Sequence, residues 1–301
     1  MGSLYALIAL GYTMVYGILK FINFAHSDIV ALGGWLSFVL ATKLFPALGA
    51  EGSLPWWAAA AVMLLCMGAC ALLGFLIEFL AYRPLRKAPR LNVLITAIGV
   101  SLLLQNVGQL PFVFGARPQP MPALVPVEPW IIGEVRINPV DVLVTVTAII
   151  LMLLLQFLVY RTKLGTAMRA VSFSVPSASL VGINVNFVIS FTFMLGSALA
   201  AAAGMLFAVK YNLQQTAHPQ WVILGLTAFV AAVVGGVGNI KGAMLGAYLI
   251  SFIQQLGTFA LLKGGYDNAS GLKDIYVFVV LIIVLLIKPE GLLGKPTREK
   301  V

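Results

Sequence analysis

The chain is divided into apolar runs of about twenty residues, the length an α-helix needs to cross a bilayer core of about 30 Å. The runs cover residues 4–19, 29–44, 56–82, 93–114, 140–160, 188–209, 222–262 and 275–287. Among the 301 residues 61% are hydrophobic and only 10% charged, whereas a soluble globular domain carries roughly 25% charged residues. Too few charges remain to cover a water-facing surface, so the solvent is lipid. In hydrocarbon each backbone N–H and C=O must be satisfied within its own segment, and each run is therefore predicted to be a helix. The longest run is broken at Gly235-Gly236-Val237-Gly238-Asn239, with Lys241 following, and reads as two helices. The predicted fold is an all-α polytopic bundle of about eight to nine transmembrane helices, forming one domain over residues 1–301.

Basic residues set its orientation, because short cytoplasmic loops carry the excess of Lys and Arg. Arg83, Arg86, Lys87 and Arg90 fall in one loop, Arg161, Lys163 and Arg169 in another, and Lys288, Lys295, Arg298 and Lys300 in the C-terminal tail. Lys20 and Lys241 join that side if 222–262 crosses twice. Lys43, Arg117, Arg136, Lys210, Lys263 and Lys273 stay on the other, together with Glu51, Glu128, Glu134, Asp141, Asp267 and Asp274. The asymmetry predicts the N-terminus outside and the C-terminus in the cytoplasm. It also favours two crossings over a re-entrant hairpin, which would leave the basic tail outside. The outer stretch 115–139 holds six prolines and cannot be a helix; it is a stiff linker or a contact for a soluble partner.

Several functions are excluded. No G-x-x-x-x-G-K-[ST] run exists to cradle nucleotide phosphates. The two histidines, His26 and His218, are far apart in the chain, which leaves metal and triad chemistry little to build on. No catalytic, cofactor or metal site is predicted. The charges are scattered through short loops, so the net charge of +9 does not read as a nucleic-acid face. Cys66 and Cys70, four residues apart in one run, read as core packing. The spans offer no mid-membrane Asp, Lys or Arg, which counts against an ion-coupled carrier.

Polar and small residues within the spans are the informative ones. Gln105 and Gln109 share a helix face beside Asn106, and Gln254 precedes Gln255 in mid-helix; these are hydrogen-bond clamps between helices or a wetted translocation path. Glu78 is expected to pair with Arg83 at the inner boundary. Gly196, Ala200 and Gly204 recur every four residues, as do Gly238, Gly242 and Gly246, which allows close helix approach within the chain, at a subunit interface or along a pore wall. The inner stretch 161–187 is long and only weakly apolar for a bundle connection. A short helix over 176–181 is predicted there, with Pro176 at its start and Gly182 as its stop. Such an element suits docking of a soluble motor.

The opening Gly2-Ser3-Leu4-Tyr5-Ala6-Leu7-Ile8-Ala9-Leu10-Gly11-Tyr12-Thr13-Met14-Val15-Tyr16-Gly17, followed by Ile22-Asn23-Phe24-Ala25-His26, resembles the permeases of branched-chain amino acid ABC importers, the LivH type. Further matches are Arg169-Ala170 with Ala178-Ser179-Leu180-Val181-Gly182-Ile183, then 233–240 with Gly242-Ala243, and 288–294. The resemblance covers nearly the whole chain. It implies a multi-pass subunit of the bacterial inner (plasma) membrane, in contact with membrane lipid and not with nucleic acid. The implied partners are a second, M-type permease, two cytoplasmic ATP-binding subunits and a periplasmic substrate-binding protein for leucine, isoleucine or valine. Docking on the ATPase is thereby assigned to Arg169, Ala170, Pro176, Ala178, Leu180, Gly182 and Ile183. Asn23, Gln105, Gln109 and Gln254 are the candidate translocation path. Members usually carry further residues before the segment at Gly2, charged residues where this chain has Phe173, Ser174 and Pro176, and glycine where Ser27 follows His26. A urea or short-chain amide permease has the same family pattern; an ATP-independent carrier or channel is the alternative from a different class.

Overall fold

A computed structural model describes the chain except for residues 45–54, 87, 116–118, 120, 122–128, 134, 212–219, 267–268 and 295–301. His218, Glu51, Glu128, Glu134, Asp267, Lys87, Arg117, Lys295, Arg298, Lys300 and the prolines at 118, 120, 122 and 126 lie outside the described residues.

The apolar runs form helices: α1 (Gly2–Leu19), α2 (His26–Leu44), α3 (Trp56–Ile77), α4 (Arg90–Gly108), α5 (Pro139–Arg161), α6 (Lys163–Phe173), α7 (Val175–Leu180), α8 (Val185–Tyr211), α9 (Gln220–Gly235), α10 (Ile240–Lys263) and α11 (Lys273–Ile287). A π-helical turn, Glu78–Tyr82, and a 3-10 turn, Arg83–Leu85, prolong α3. Seven of the described helices are long and apolar enough to cross a membrane. The remaining two apolar helices, α9 and α11, have 16 and 15 residues, about 24 and 22 Å of helix. The break at 235–239 falls where the glycines predict: α9 stops at Gly235, and the Asn239 side chain caps α10 by accepting from the Lys241 and Gly242 amides. In the outer connection, β1 (Trp130–Ile132) and β2 (Val135–Ile137) form a small antiparallel hairpin with Ile131 opposite Arg136.

Burial separates core from rim. In α1, 83% of the span is buried, and in α4 only 22%. The core helix α1 is packed by α8, α10 and α9, while α3, α4, α5 and α10 turn Leu, Ile and Phe outward as a lipid-facing helix must. Small residues permit the central packing. A Cβ at Gly204 would overlap the Val30 carbonyl of α2, and one at Gly33 would meet the Ala201 backbone of α8. Gly196 rests against Gly11 of α1, Ala200 is fully buried, Gly238 approaches Gly17, and Gly242 and Gly246 lie against Gly235 and Ala231 of α9. The cysteines are buried, and the Cys66 thiol donates to the Gly33 carbonyl at 3.2 Å.

Contacts between distant segments define two ends. At one, Arg86 reaches Asn186 (2.6 Å), the Asn239 amide donates to Leu293 O (2.7 Å), and the Leu292 and Leu293 amides donate to Val234 O and Gly235 O. Val159, Met168, Gly17 and Gly238 line one cavity there as well. At the other, Lys210 pairs with Asp141 at 2.7 Å. Followed through these contacts, α1 to α5 and α8 to α11 run alternately between the ends, nine traverses among the described residues. The basic loops share one end.

Three expectations are corrected. The second span begins at His26, not near residue 29, and its first turn carries His26, Ser27 and Asp28 into the bundle, each at most 3% exposed. The second span therefore does hold a buried aspartate, Asp28, contrary to the expected absence of Asp, Lys and Arg inside the spans. Glu78 pairs with Arg86, not with Arg83, whose guanidinium lies 5.4 Å from the centre of the Phe79 ring.

Candidate functional site

The connection after α1 does not stay at the boundary. Lys20 adopts a left-handed conformation (φ 58°) that stops the helix, and the chain then re-enters with Asn23 and Ala25 buried. The first turn of α2 consequently lies level with the middle of α1: His26 Nε2 is 3.2 Å from the Ile8 carbonyl, and its ring meets the Tyr12 ring edge-on at 4.6 Å. Phe229 closes the same aromatic contact from α9, 5.6 Å from Tyr12. The Ile8 carbonyl is the hydrogen-bond partner of His26 among the described residues.

Asp28 faces the opposite way. Its Oδ1 accepts from Gln105 Nε2 of α4 at 2.8 Å, and Gln105 also reaches Ser101 Oγ at 3.2 Å. The other carboxylate oxygen, Oδ2, is buried and has no hydrogen-bond partner. An acid in a membrane interior is costly unless paired or wetted, so a half-satisfied carboxylate here marks a site. Gln109 is where α4 ends, one turn further out, and its side chain reaches the Gln105 carbonyl.

The other path candidates do not join this centre. Asn23 accepts from the Tyr82 hydroxyl at 2.6 Å, among Phe21 and Phe193. Gln254 is buried beside the Tyr5 hydroxyl, between α10 and α1. Sequence reading found Gln105 but missed Asp28, which precedes the apolar run and looks like a loop residue.

A second polar network closes the basic end. Glu78, fully buried, accepts from Arg86 Nη2 and from Ser190 Oγ (2.6 Å), while Arg86 Nη1 donates to Asn186 Oδ1. The π-helical turn directs Glu78 toward α8; inserted turns of this kind recur at functional sites.

Beyond that network, α6 and α7 form a helical elbow. Thr162 caps α6 and Ser174 caps α7, each side chain accepting an amide of the first turn. Pro176 is within the first two positions of α7, and Gly182, at φ 82°, ends the elbow. Met168, Val171 and Ala178 are buried against the bundle, with Ala170 and Ile183 packed beside them. Arg169 points back, donating to the Val159 carbonyl and lying over the Tyr160 ring. The free face holds Pro176 and Gly182, with Phe173 92%, Leu180 87% and Val181 75% exposed. They stand at the end that carries the basic loops, and an apolar group that size loses about 1.5–3 kcal/mol by facing water.

Comparison with known proteins agrees with this architecture. The family described as branched-chain amino acid transport system, permease component, matches residues 1–286. The high-affinity branched-chain amino acid transport system permease protein LivH of Salmonella typhimurium is 38% identical over 307 residues, covering 100% of this chain and 94% of that protein. BraD of Pseudomonas aeruginosa, of the same description, is 38% identical over 310 residues with the same coverage. A more distant relative, the galactofuranose transporter permease protein YtfT of Escherichia coli, is 27% identical over 56% of this chain and 49% of its own length. No solved structure matches. With the apolar spans, these matches make the chain a multi-pass inner-membrane permease belonging to the branched-chain amino acid ABC transporter permease family.

Proposed function

We propose that this chain is the permease subunit through which leucine, isoleucine and valine enter the cell, in an ATP-driven importer that works by alternating access. On this reading residues 1–301 are a single permease domain with 161–187 as its docking loop. A second, M-type permease completes the membrane unit, a periplasmic protein delivers substrate, and two cytoplasmic subunits hydrolyse ATP, so the chain itself catalyses nothing. The excess of Lys and Arg at one end supports a cytoplasmic C-terminus and an outer N-terminus.

The observation that carries the reading is the exposed apolar tip formed by Phe173, Leu180 and Val181, rigidly backed by buried Met168, Val171 and Ala178. A soluble ATPase covering that tip gains apolar burial and can push on it. The push passes from α6 to α1 and α8, on which α6 packs, and α1 carries Tyr12 to the polar centre at His26. Asp28 and Gln105 then stand where α4, only 22% of it buried, meets α2; separation of those two helices opens a route past the carboxylate.

The test is uptake of labelled leucine by cells with and without the gene, competed by unlabelled isoleucine and separately by urea. Gene-dependent, energy-requiring uptake blocked by isoleucine alone supports the reading. Absence of gene-dependent leucine uptake, with urea or amide uptake in its place, replaces the proposed substrate. Uptake that persists without ATP removes the importer.

A further inference from the structure

An open groove of about 560 Å3 lies at the basic end, between the last turns of α5 and the first turn of α10. Its rim is cationic: Arg161 is the final residue of one span, Lys241 the second residue of another, and Tyr160 and Asn239 stand beside them. Its lower wall is Phe157 and Leu153, 62% and 58% exposed on the outer face of α5.

Several cations at this end are held within the chain. Arg86 is paired with Glu78, Arg169 donates to Val159 O, and Lys288 donates to Leu292 O at 2.7 Å. Arg161 and Lys241 have neither an ion pair nor a side-chain hydrogen bond among the described residues, although they share one hollow. Bringing like charges together without a counter-charge is unfavourable, and an anion between them reverses the sign of the interaction. Loop charges placed only for orientation need not converge; these come from helices eighty positions apart in the chain. The height of the groove selects the anion. The charged rim sits where both spans end, at the membrane boundary, and the wall below it is hydrocarbon-facing, with Tyr160 at the interface depth where such rings concentrate.

We infer that this groove binds an anionic phospholipid, its phosphate held by Arg161 and Lys241 and its acyl chain lying along Phe157 and Leu153. Basic pockets between transmembrane helices on the cytoplasmic side suit such head groups. The site is apart from the elbow tip and from the Asp28 centre. It rests on the family reading only for the choice of membrane, so its failure leaves the uptake test untouched.

The experiment measures lipid retention by the full chain, purified in detergent with the subunits that accompany it, by native mass spectrometry during titration with phosphatidylglycerol or phosphatidylcholine. The wild type is compared with Arg161→Gln/Lys241→Gln and with Lys263→Gln at the opposite end. Phosphatidylglycerol should be retained over phosphatidylcholine. The double variant should weaken that retention about tenfold or more, at roughly fivefold per cation, and Lys263→Gln should not change it. Equal retention by the double variant overturns the proposal. Displacement by inorganic phosphate assigns the hollow to a soluble anion instead. Loss of an accompanying subunit from the double variant at unchanged lipid occupancy makes it a protein contact, which also overturns the lipid site.

Discussion

At the scale of single residues, Asp28 and Glu78 show how differently one bundle treats two buried carboxylates. Glu78 is satisfied on both oxygens, by Arg86 and Ser190. Removing one partner of a buried pair leaves the other charge uncompensated, at about 3–5 kcal/mol. Arg86→Met should therefore lower the thermal midpoint sharply, and Glu78→Gln combined with Arg86→Met should recover part of the loss; a double-mutant melting series measures this. Asp28 is satisfied on one oxygen only. Asp28→Asn keeps an acceptor for Gln105 while removing the charge, so the midpoint should stay within a few degrees of the wild type. If the carboxylate borders the substrate route, leucine uptake by that variant should fall tenfold or more at unchanged membrane level. Normal uptake would make Asp28 a packing residue.

At the scale of elements, the elbow is built from local signals. Two side-chain caps, a proline near the start of α7 and a glycine at positive φ direct the chain back to α8. Its outer face has no partner among the described residues, so Phe173→Asp/Leu180→Asp should insert and melt like the wild type, yet abolish co-purification of the ATPase and energy-dependent uptake. Retention of both would place the docking surface elsewhere. Gly182→Val forces a β-branched residue to φ 82°, a conformation that costs of order 1–3 kcal/mol. Uptake should drop severalfold with a smaller loss of ATPase binding, because the elbow is displaced and its apolar face retained; quantitative pull-down beside uptake separates the two.

At the scale of the molecule, nine traverses place Lys210 and Asp141 at one end and Asn239, Leu293 and Arg86 at the other. Single cysteines at Lys210 and Lys241, in a Cys66→Ala/Cys70→Ala background, should react with an impermeant maleimide from opposite sides of the membrane. Reaction from one side would require an even number of crossings between them and remove the two-crossing reading of 222–262.

Apolar runs, glycine breaks and basic loops are local properties of the chain, and they sufficed to find the apolar helices, the α9–α10 break and the short helix α7, though not α6 before it, since hydrocarbon leaves a backbone little choice but helix. Tertiary structure decided which side chains meet. Whether Glu78 pairs with Arg83 or Arg86, which carbonyl His26 reaches, and whether Gln105 and Gln254 share a site depend on how deep each helix begins and which face it turns inward. The return of residues 20–25 into the bundle carried Asp28 into the buried interior. No pattern along the sequence marks that return, because it is the packing of α1, α8 and α9 around the first turn of α2 that makes room for it.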